Sequence, residues 1–597
     1  MSKATSSSLF TPTAASSQLH HQLRSFLLVF LSIACLPITT SFLILSYVLR
    51  PYAYASILLR RYRLQHAPAF KPRRILVTGV GMSKGLFLAR TFYLAGHTVI
   101  GADFDAAYSI PAAGRFSASI QKYVSLPRPS GEAGVAWYIN ALLRTVQQEN
   151  IDLWVSCSGV ASAVEDGQAT EILSRRTNCK FIQFTAQDTG ILHAKNSFID
   201  KVKELGLPAP ETHEVRSRDS VHKILHRSTS STNGTPRTSS EVGSLVVDKT
   251  RKTRRTSRQF ILKSVDMDDS AREAAADMTI LPRHTPSETY NFVANMKINE
   301  QKPWVLQQYV KGREYCTHAL VVKGKVKAFV ACYSSDLVMH YEALQKDDPL
   351  SQAMEQFTIT FAGLMGASNL DPDGFVSPTV DEKPGDFTGH LSFDFLVEQL
   401  ASEKGVECSI LPIECNPRAH TAVALFEGKE VEMTEAYLSA LDTSTPDDLA
   451  NGFHESLMHD EDTAHERSTI VRPPEQPKKV YWIGHDLVVL GILPLLTLAQ
   501  AFIRSSLSYL SYIPMADAVF NRSPSPPLRT ATRRTIYDLA AFAEHVLTWQ
   551  DGTYTLWDPL PAWWLYQVYW PGLFLKAALE GKKWSRVNVG TTKMFGC

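Results

Sequence analysis

Residues 392–428 read SFDFLVEQLASEKGVECSILPIECNPRAHTAVALFEG. A strand carrying Asp394 leads into a polar turn, and a second apolar strand, Ile410-Leu411-Pro412-Ile413, runs out into Glu414, Asn416 and Arg418. Strand side chains alternate, so Glu414 and Asn416 project from one face, and a hairpin brings Asp394 beside them. Three hard oxygen donors then converge, a set that suits Mg²⁺, which takes its remaining positions from water and phosphate. Arg418, two residues on, offers a planar fork for a transferred phosphoryl group. The same residues also fit a simpler pattern, a surface ion pair of Glu414 and Arg418 at a hairpin end.

Working outward, 597 residues suffice for three to four domains and a large core. A net charge of +2 does not point to a nucleic-acid partner. The 8 cysteines are scattered, without a C-x-x-C pair or metal-ligand spacing, as expected of free thiols in a reducing compartment.

The first 25 residues are rich in Ser and Thr and read as disordered. Residues 26–49, FLLVFLSIACLPITTSFLILSYVL, contain no charge over 24 positions, enough to cross a bilayer as one helix. Arg50, Arg60, Arg61, Arg63, Arg73 and Arg74 follow as a basic tether, which predicts a single-pass membrane protein with its catalytic part in the cytosol. Pro37 also admits an interfacial or re-entrant anchor.

Residues 73–105 form a strand, a glycine turn, an amphipathic helix and a strand ending in Asp103, a βαβ opening. The glycines at 79, 81 and 85 are spaced G-x-G-x-x-x-G, which departs from the dinucleotide fingerprint. A strand at 153–157 and a helix near 161–174 extend a doubly wound sheet to about residue 185. Residues 193–215 contain a basic amphipathic helix stopped by Gly206. The Ser/Thr/Arg/Lys-rich tract 216–258 reads as a disordered insertion. Order resumes with Phe260-Ile261-Leu262-Lys263, and residues 303–329 read as two strands turning at Gly324. From about 441 an acidic linker precedes the apolar run 487–503, which is short for a span, and a tail holding Trp557, Trp563, Trp564 and Trp570, residues suited equally to a core or a membrane surface.

The hairpin with Asp394 and Glu414-Cys415-Asn416-Pro417-Arg418 resembles the metal-binding motif of the ATP-grasp superfamily. Together with ILVTGVGMSKGLFLARTFYLAGHTVI, ILKSV, KPWVLQQYVKGREYCTH, Tyr481-Trp482-Ile483-Gly484-His485 and Asp558-Pro559-Leu560-Pro561, the chain is similar to the mycosporine-glycine synthetases, ligases that join an amino acid to 4-deoxygadusol. The resemblance implies an α/β chain: a Rossmann-like pre-ATP-grasp domain at 73–185, an ATP-grasp domain at 186–440, and an α-rich C-terminal extension at 441–597, behind an N-terminal transmembrane segment.

It further implies ATP with Mg²⁺, or Mn²⁺ in its place, held by Asp394, Glu414 and Asn416, with Lys195 and Lys263 on the phosphates. Gln307, Gln308, Tyr309 and Val310 would form the adenine hinge and Glu314 would take the ribose hydroxyls. Arg418 would hold the phosphorylated intermediate, and His420 is a candidate for the amino acid carboxylate or for proton transfer, unless it is structural. Cys415 should point to the opposite, buried strand face. The usual glycine-rich lid is replaced by DMDDSAREAAADMTILPR, where Arg272 is the candidate phosphate contact. Partners are then a 4-deoxygadusol-like acceptor, an amino acid and the membrane, and a homodimer is allowed. The competing functions are a carboxylate–amine ligase acting through an acyl phosphate in another small-molecule pathway, and a membrane-tethered nucleotide-binding protein without catalysis.

Overall fold

The run Ile75-Leu76-Val77 lacks the polar alternation of a half-exposed strand, and all three side chains are fully buried. In the computed structural model this run is the centre of a five-stranded parallel sheet ordered β3-β2-β1-β4-β5. Its strands are β1 (Arg74–Thr78), β2 (Thr98–Phe104), β3 (Lys122–Leu126), β4 (Leu153–Ser156) and β5 (Lys180–Ile182). The structure describes residues 16–105, 110–157, 159, 162–230, 259–264, 279–301, 303–334, 339–368, 387–402, 405–442, 470–509 and 526–596.

The glycine turn after β1 has a structural use. Gly79 sits at φ +75°, and a Cβ there would lie 2.6 Å from the Cys157 carbonyl oxygen. The Gly81 N–H donates to the Asp103 carboxylate at 2.6 Å, so the acid ending β2 ties down the turn. Helix α2 (Ser83–Leu94) starts directly behind it.

Two further four-stranded sheets follow. The smaller, β6-β9-β7-β8, pairs β6 (Thr212–Val215), β9 (Trp304–Gln308), β7 (Phe260–Ser264) and β8 (Ile280–Leu281), all antiparallel. The larger, β11-β10-β12-β13, is built from β10 (Arg313–Val322), β11 (Lys325–Tyr333), β12 (Gly389–Ser402) and β13 (Gly405–Asn416). Lys323 and Gly324 both take positive φ, the two-residue turn that matches strand twist, where the sequence placed it.

Three sequence expectations change. The predicted disordered insertion begins too early: residues 218–230 are helical (Arg218–Ser230), because Val221 and Leu225 bury against Phe260 and Leu306 of the smaller sheet. Residues 231–258 lie outside the described residues. Residues 18–25, read as disordered, open a 48-residue helix α1 (Gln18–Gln65), and the basic tether to residue 65 is its continuation. Here Arg24 stacks on Trp584, its guanidinium carbon 3.2 Å from the ring centroid, and His21 bonds the Trp584 carbonyl.

The C-terminal region is part of the main core. Trp482, Leu565, Trp570 and Phe574 bury in the same cluster as Ile75, Val77 and Phe92. Asp558 of the D-P-x-P segment accepts from Arg90 Nε at 2.8 Å and from Ser117 Oγ at 2.6 Å, all three buried. Trp482 Nε1 donates to Ser83 Oγ at 2.9 Å. Asp486 accepts from His340 Nε2 at 2.9 Å and His545 Nδ1 at 2.7 Å, joining three distant parts of the chain. Trp557 and Trp570 are buried and belong to the core rather than to an outer surface. The apolar run 487–503 lies within a helix, Ile483–Ser506; with Gln18–Gln65 it is one of two described helices long and apolar enough to cross a membrane.

Candidate active site

The hairpin β12–β13 sets the site. Asp394 pairs with Glu414 and Ser392 with Asn416, so the three expected oxygen donors share one patch. The register then slips: Phe395 pairs with Pro412, leaving Ile413 as the extra residue of a bulge. Proline has no N–H for a ladder, and β13 is a sheet edge, where such a break is tolerated. Phe393, Phe395 and Cys415 turn the other way into the core with Phe357 and Phe361, which anchors the acidic face and bears out the burial expected of Cys415.

Asn416 Nδ2 donates to Asp394 at 3.3 Å, and Arg418 donates to Asn416 Oδ1 at 3.0 Å. Helix α3 (Lys195–Glu204) starts at Lys195, whose Nζ lies 3.4 Å from Glu414 Oε2. Gly206, at φ +72°, ends that helix as expected. From the smaller sheet, Lys263 Nζ donates to Gln307 Oε1 at 2.7 Å. Burial above all, then the neighbouring Lys195, brings Lys263 down to about 8, while Glu414, Glu314 and Asp394 oppose the shift.

Asp394 is pushed well above the usual carboxylate range, by burial first and then by Glu414 and Glu314; Arg418 and Lys195 act against this. Carboxylates crowded this way repel one another, and a divalent cation relieves that repulsion. The donor set of two carboxylates and an amide oxygen therefore fits Mg²⁺ or Mn²⁺.

The hinge differs in detail from expectation. The Gln308 N–H donates to the Glu211 carbonyl and the Tyr309 N–H to the Gln259 carbonyl, both at 2.7 Å. Two of the expected adenine donors are thus engaged, and an adenine edge here would have to use other groups. Val310 is buried. Glu314 is exposed, and its Oε1 accepts from Ser334 Oγ at 2.8 Å. Arg272 lies outside the described residues.

His420 caps the short helix Thr421–Phe426, its Nδ1 accepting the Ala422 N–H at 3.2 Å. Burial first, then His318, Arg418 and Lys84, brings it down to about 3, so the ring is neutral at physiological pH with Nε2 as its donor. A neutral donor can orient a carboxylate or pass a proton but adds no positive charge.

Lys84 and His318 were not singled out from the sequence. Lys84 occupies the first turn of α2, fully buried, and its Nζ donates to the Ala419 carbonyl at 2.8 Å. Burial first, then Arg418, lowers it to about 7. His318 Nδ1 accepts the His420 N–H at 3.3 Å, and its Nε2 is buried with no hydrogen-bond partner among the described residues. A signal for Lys84 was present: a cation directly after a glycine turn, at the helix end where the dipole disfavours it. His318 offered none, since it sits mid-strand in β10. A cleft lined by Lys327, Leu344, Glu432 and Arg472 among others lies elsewhere and contains none of these groups.

No family model and no curated protein matches the sequence. Among solved structures, the chain is similar to carboxyaminoimidazole ribonucleotide synthase from Aspergillus clavatus complexed with ATP, at 13% identity and TM-score 0.40, covering 79% of this chain and 99% of that one. It is similar to L-amino acid ligase from Bacillus licheniformis at 12% identity and TM-score 0.38, covering 69% and 78%. N5-carboxyaminoimidazole synthetase from Staphylococcus aureus matches at 12% identity and TM-score 0.38, covering 63% and 78%. Overlaps this loose leave the chemistry to be read from the site's own residues.

Proposed function

We propose that this protein is an ATP-grasp ligase that forms a C–N bond with release of ADP, its acceptor an enolised cyclohexenone such as 4-deoxygadusol and its amine an amino acid such as glycine. One observation carries the reading: Asp394, Glu414 and Asn416 share a hairpin face, with Lys195, from a different element, 3.4 Å from Glu414. Lys263 from the second sheet feels the same carboxylates. Acid oxygens and cations converging from three elements suit a triphosphate with its metal better than a surface ion pair.

In this reading Lys195 and Lys263 hold the phosphates, and Asp394, Glu414 and Asn416 would hold Mg²⁺, which would supply neutralisation of phosphate charge. Arg418 grips the transferred group. An enolised diketone is a vinylogous acid: its oxygen attacks the γ-phosphorus, ADP departs, and the phosphorylated oxygen becomes a leaving group. The amine adds at the same carbon, loses a proton, and phosphate leaves, giving an enaminone. Catalysis is positioning and electrostatics, and no serine or cysteine nucleophile is needed.

The test supplies full-length protein with Mg-ATP, glycine and 4-deoxygadusol, and follows ADP together with product absorbance in the ultraviolet. The expected result is that both rise together and Glu414→Gln abolishes both. ADP formation with carboxylic acids but not with 4-deoxygadusol would replace the acceptor and make the enzyme an amide-forming ligase. Silence across a panel of acceptors and amines would leave only a binding role.

A further inference from the structure

The polarity of α1 is inverted relative to a helix of a soluble protein. Ser25, Ser32, Thr39 and Ser46 recur every seven residues, so they form one stripe along it. That stripe faces the protein: Ser25 and Ser46 are buried, Ser32 Oγ donates to the Tyr566 carbonyl at 2.8 Å, and Ser46 Oγ meets Tyr554 Oη at 2.7 Å. The large apolar side chains point outward. Phe30, Ile33, Ile38, Phe42 and Val48 are each more than 60% exposed. A soluble helix buries its apolar face and wets its polar one, so the outer face of α1 is built for an apolar surrounding.

The contacts also determine how the helix lies. It is held to the body along its full length, from Gln22 on Ala578 at 3.0 Å, through Trp563 Nε1 on Thr40 at 3.2 Å, to Gln65 on the Gly96 carbonyl at 2.7 Å. These contacts bracket the uncharged segment on both sides. The helix beneath it, Trp570–Leu579, buries Trp570 and Phe574 in the same core as β1 and cannot leave with α1. A helix crossing a bilayer would have to release one end, whereas both ends of α1 are fastened to one globular unit. Cations stand at both ends: Arg60, Arg61 and Arg63 at the C-terminal end, and Lys582 and Lys583 beside the start, where Lys583 Nζ reaches the Ser16 carbonyl. Cations at both ends of an apolar bar match a layer of anionic headgroups in one plane.

We infer that α1 is an in-plane anchor: it lies flat in one leaflet of a bilayer bearing anionic lipids, its outer apolar face among the acyl chains, and the protein body stays on the same side as both ends of the helix. This takes the place of the single crossing expected from hydropathy, and it is independent of the proposed reaction.

The test uses the full-length protein and vesicles of phosphatidylcholine with and without 30% phosphatidylserine, read by flotation. Binding is expected to be at least tenfold stronger with the anionic lipid, and Phe30→Ser/Phe42→Ser/Val48→Ser should reduce it at least tenfold with unchanged thermal unfolding, since these side chains touch little of the body. For topology, Ser17→Cys and His66→Cys are each made in a Cys35→Ser/Cys408→Ser/Cys597→Ser background, synthesised with sealed vesicles and treated with a membrane-impermeant maleimide. Both positions should label from outside without detergent. Labelling of one only after detergent would establish a crossing and overturn the inference. So would a dimer that hides the face and stays off vesicles of either composition, or full binding by the triple variant.

Discussion

Lys84 Nζ donates to the carbonyl of Ala419 at 2.8 Å, so the first helix of the parallel sheet reaches the loop that follows Asn416 and carries Arg418 and His420. The contact joins the front domain to the β12–β13 hairpin through a buried cation, where the proposed reaction would place an acidic acceptor oxygen.

Lys84→Met keeps the length of the side chain and removes the charge. Burial lowers Lys84 to about 7 from 10.5, so between those values the unfolded chain holds one proton more than the folded one, and stability rises with pH across that window. The variant should lose this rise, on the order of a few kcal/mol between pH 7 and 10, in urea unfolding. Turnover with the acceptor should fall about 100-fold, the scale of a lost charge-assisted bond. Unchanged turnover would remove Lys84 from the acceptor site.

Asp394→Asn should separate stability from activity. The carboxyl is raised by burial and by Glu414 and Glu314, so between the ordinary carboxylate range and its raised value the folded chain holds the extra proton and stability falls as pH increases. Without metal, the variant should be more stable than wild type at pH 8, with little difference at pH 4. ADP formation should drop about 1000-fold. Chemical unfolding at the two pH values and an ADP assay check both halves.

In the proposed reaction Lys263 must be protonated to hold a phosphate, and burial first, then Lys195, brings it down to about 8. Mg-ATP affinity should therefore weaken as pH rises through 8, approaching tenfold per unit above it. Thermal shift measures this directly: Mg-ATP at 100 times its Kd should stabilise the wild type by about 2.7 kcal/mol, and Lys263→Met should lose most of the shift.

Asp558→Asn tests whether the C-terminal region is integral. It leaves the buried Arg90 guanidinium, 2.8 Å from Asp558 in the wild type, without its counter-charge. The expected cost is about 3–5 kcal/mol, seen as a lower melting temperature in one cooperative transition. Two transitions, with only the smaller shifted, would show that the C-terminal part unfolds separately.

Local pattern alone was enough for much of this protein. Periodicity and glycine chemistry located the βαβ opening, the end of α3 at Gly206, the Lys323-Gly324 turn and the hairpin that pairs Asp394 with Glu414, because each depends on residues close in sequence. The apolar segment of α1 was equally visible, since hydropathy is a property of a window.

Only the tertiary structure decided the rest. What the hydroxyl stripe of α1 touches is one such feature, since Tyr554 and Tyr566 are more than 500 residues away. Likewise the helix at 218–230 owes its order to burial of Val221 and Leu225 against distant strands, which composition cannot register. The glycine turn before Lys84 marks its position, but its burial and its partner, the Ala419 carbonyl, come from the loop after Asn416. The environment of Lys84, and with it its charge, is made by contacts between elements rather than by any one stretch of chain.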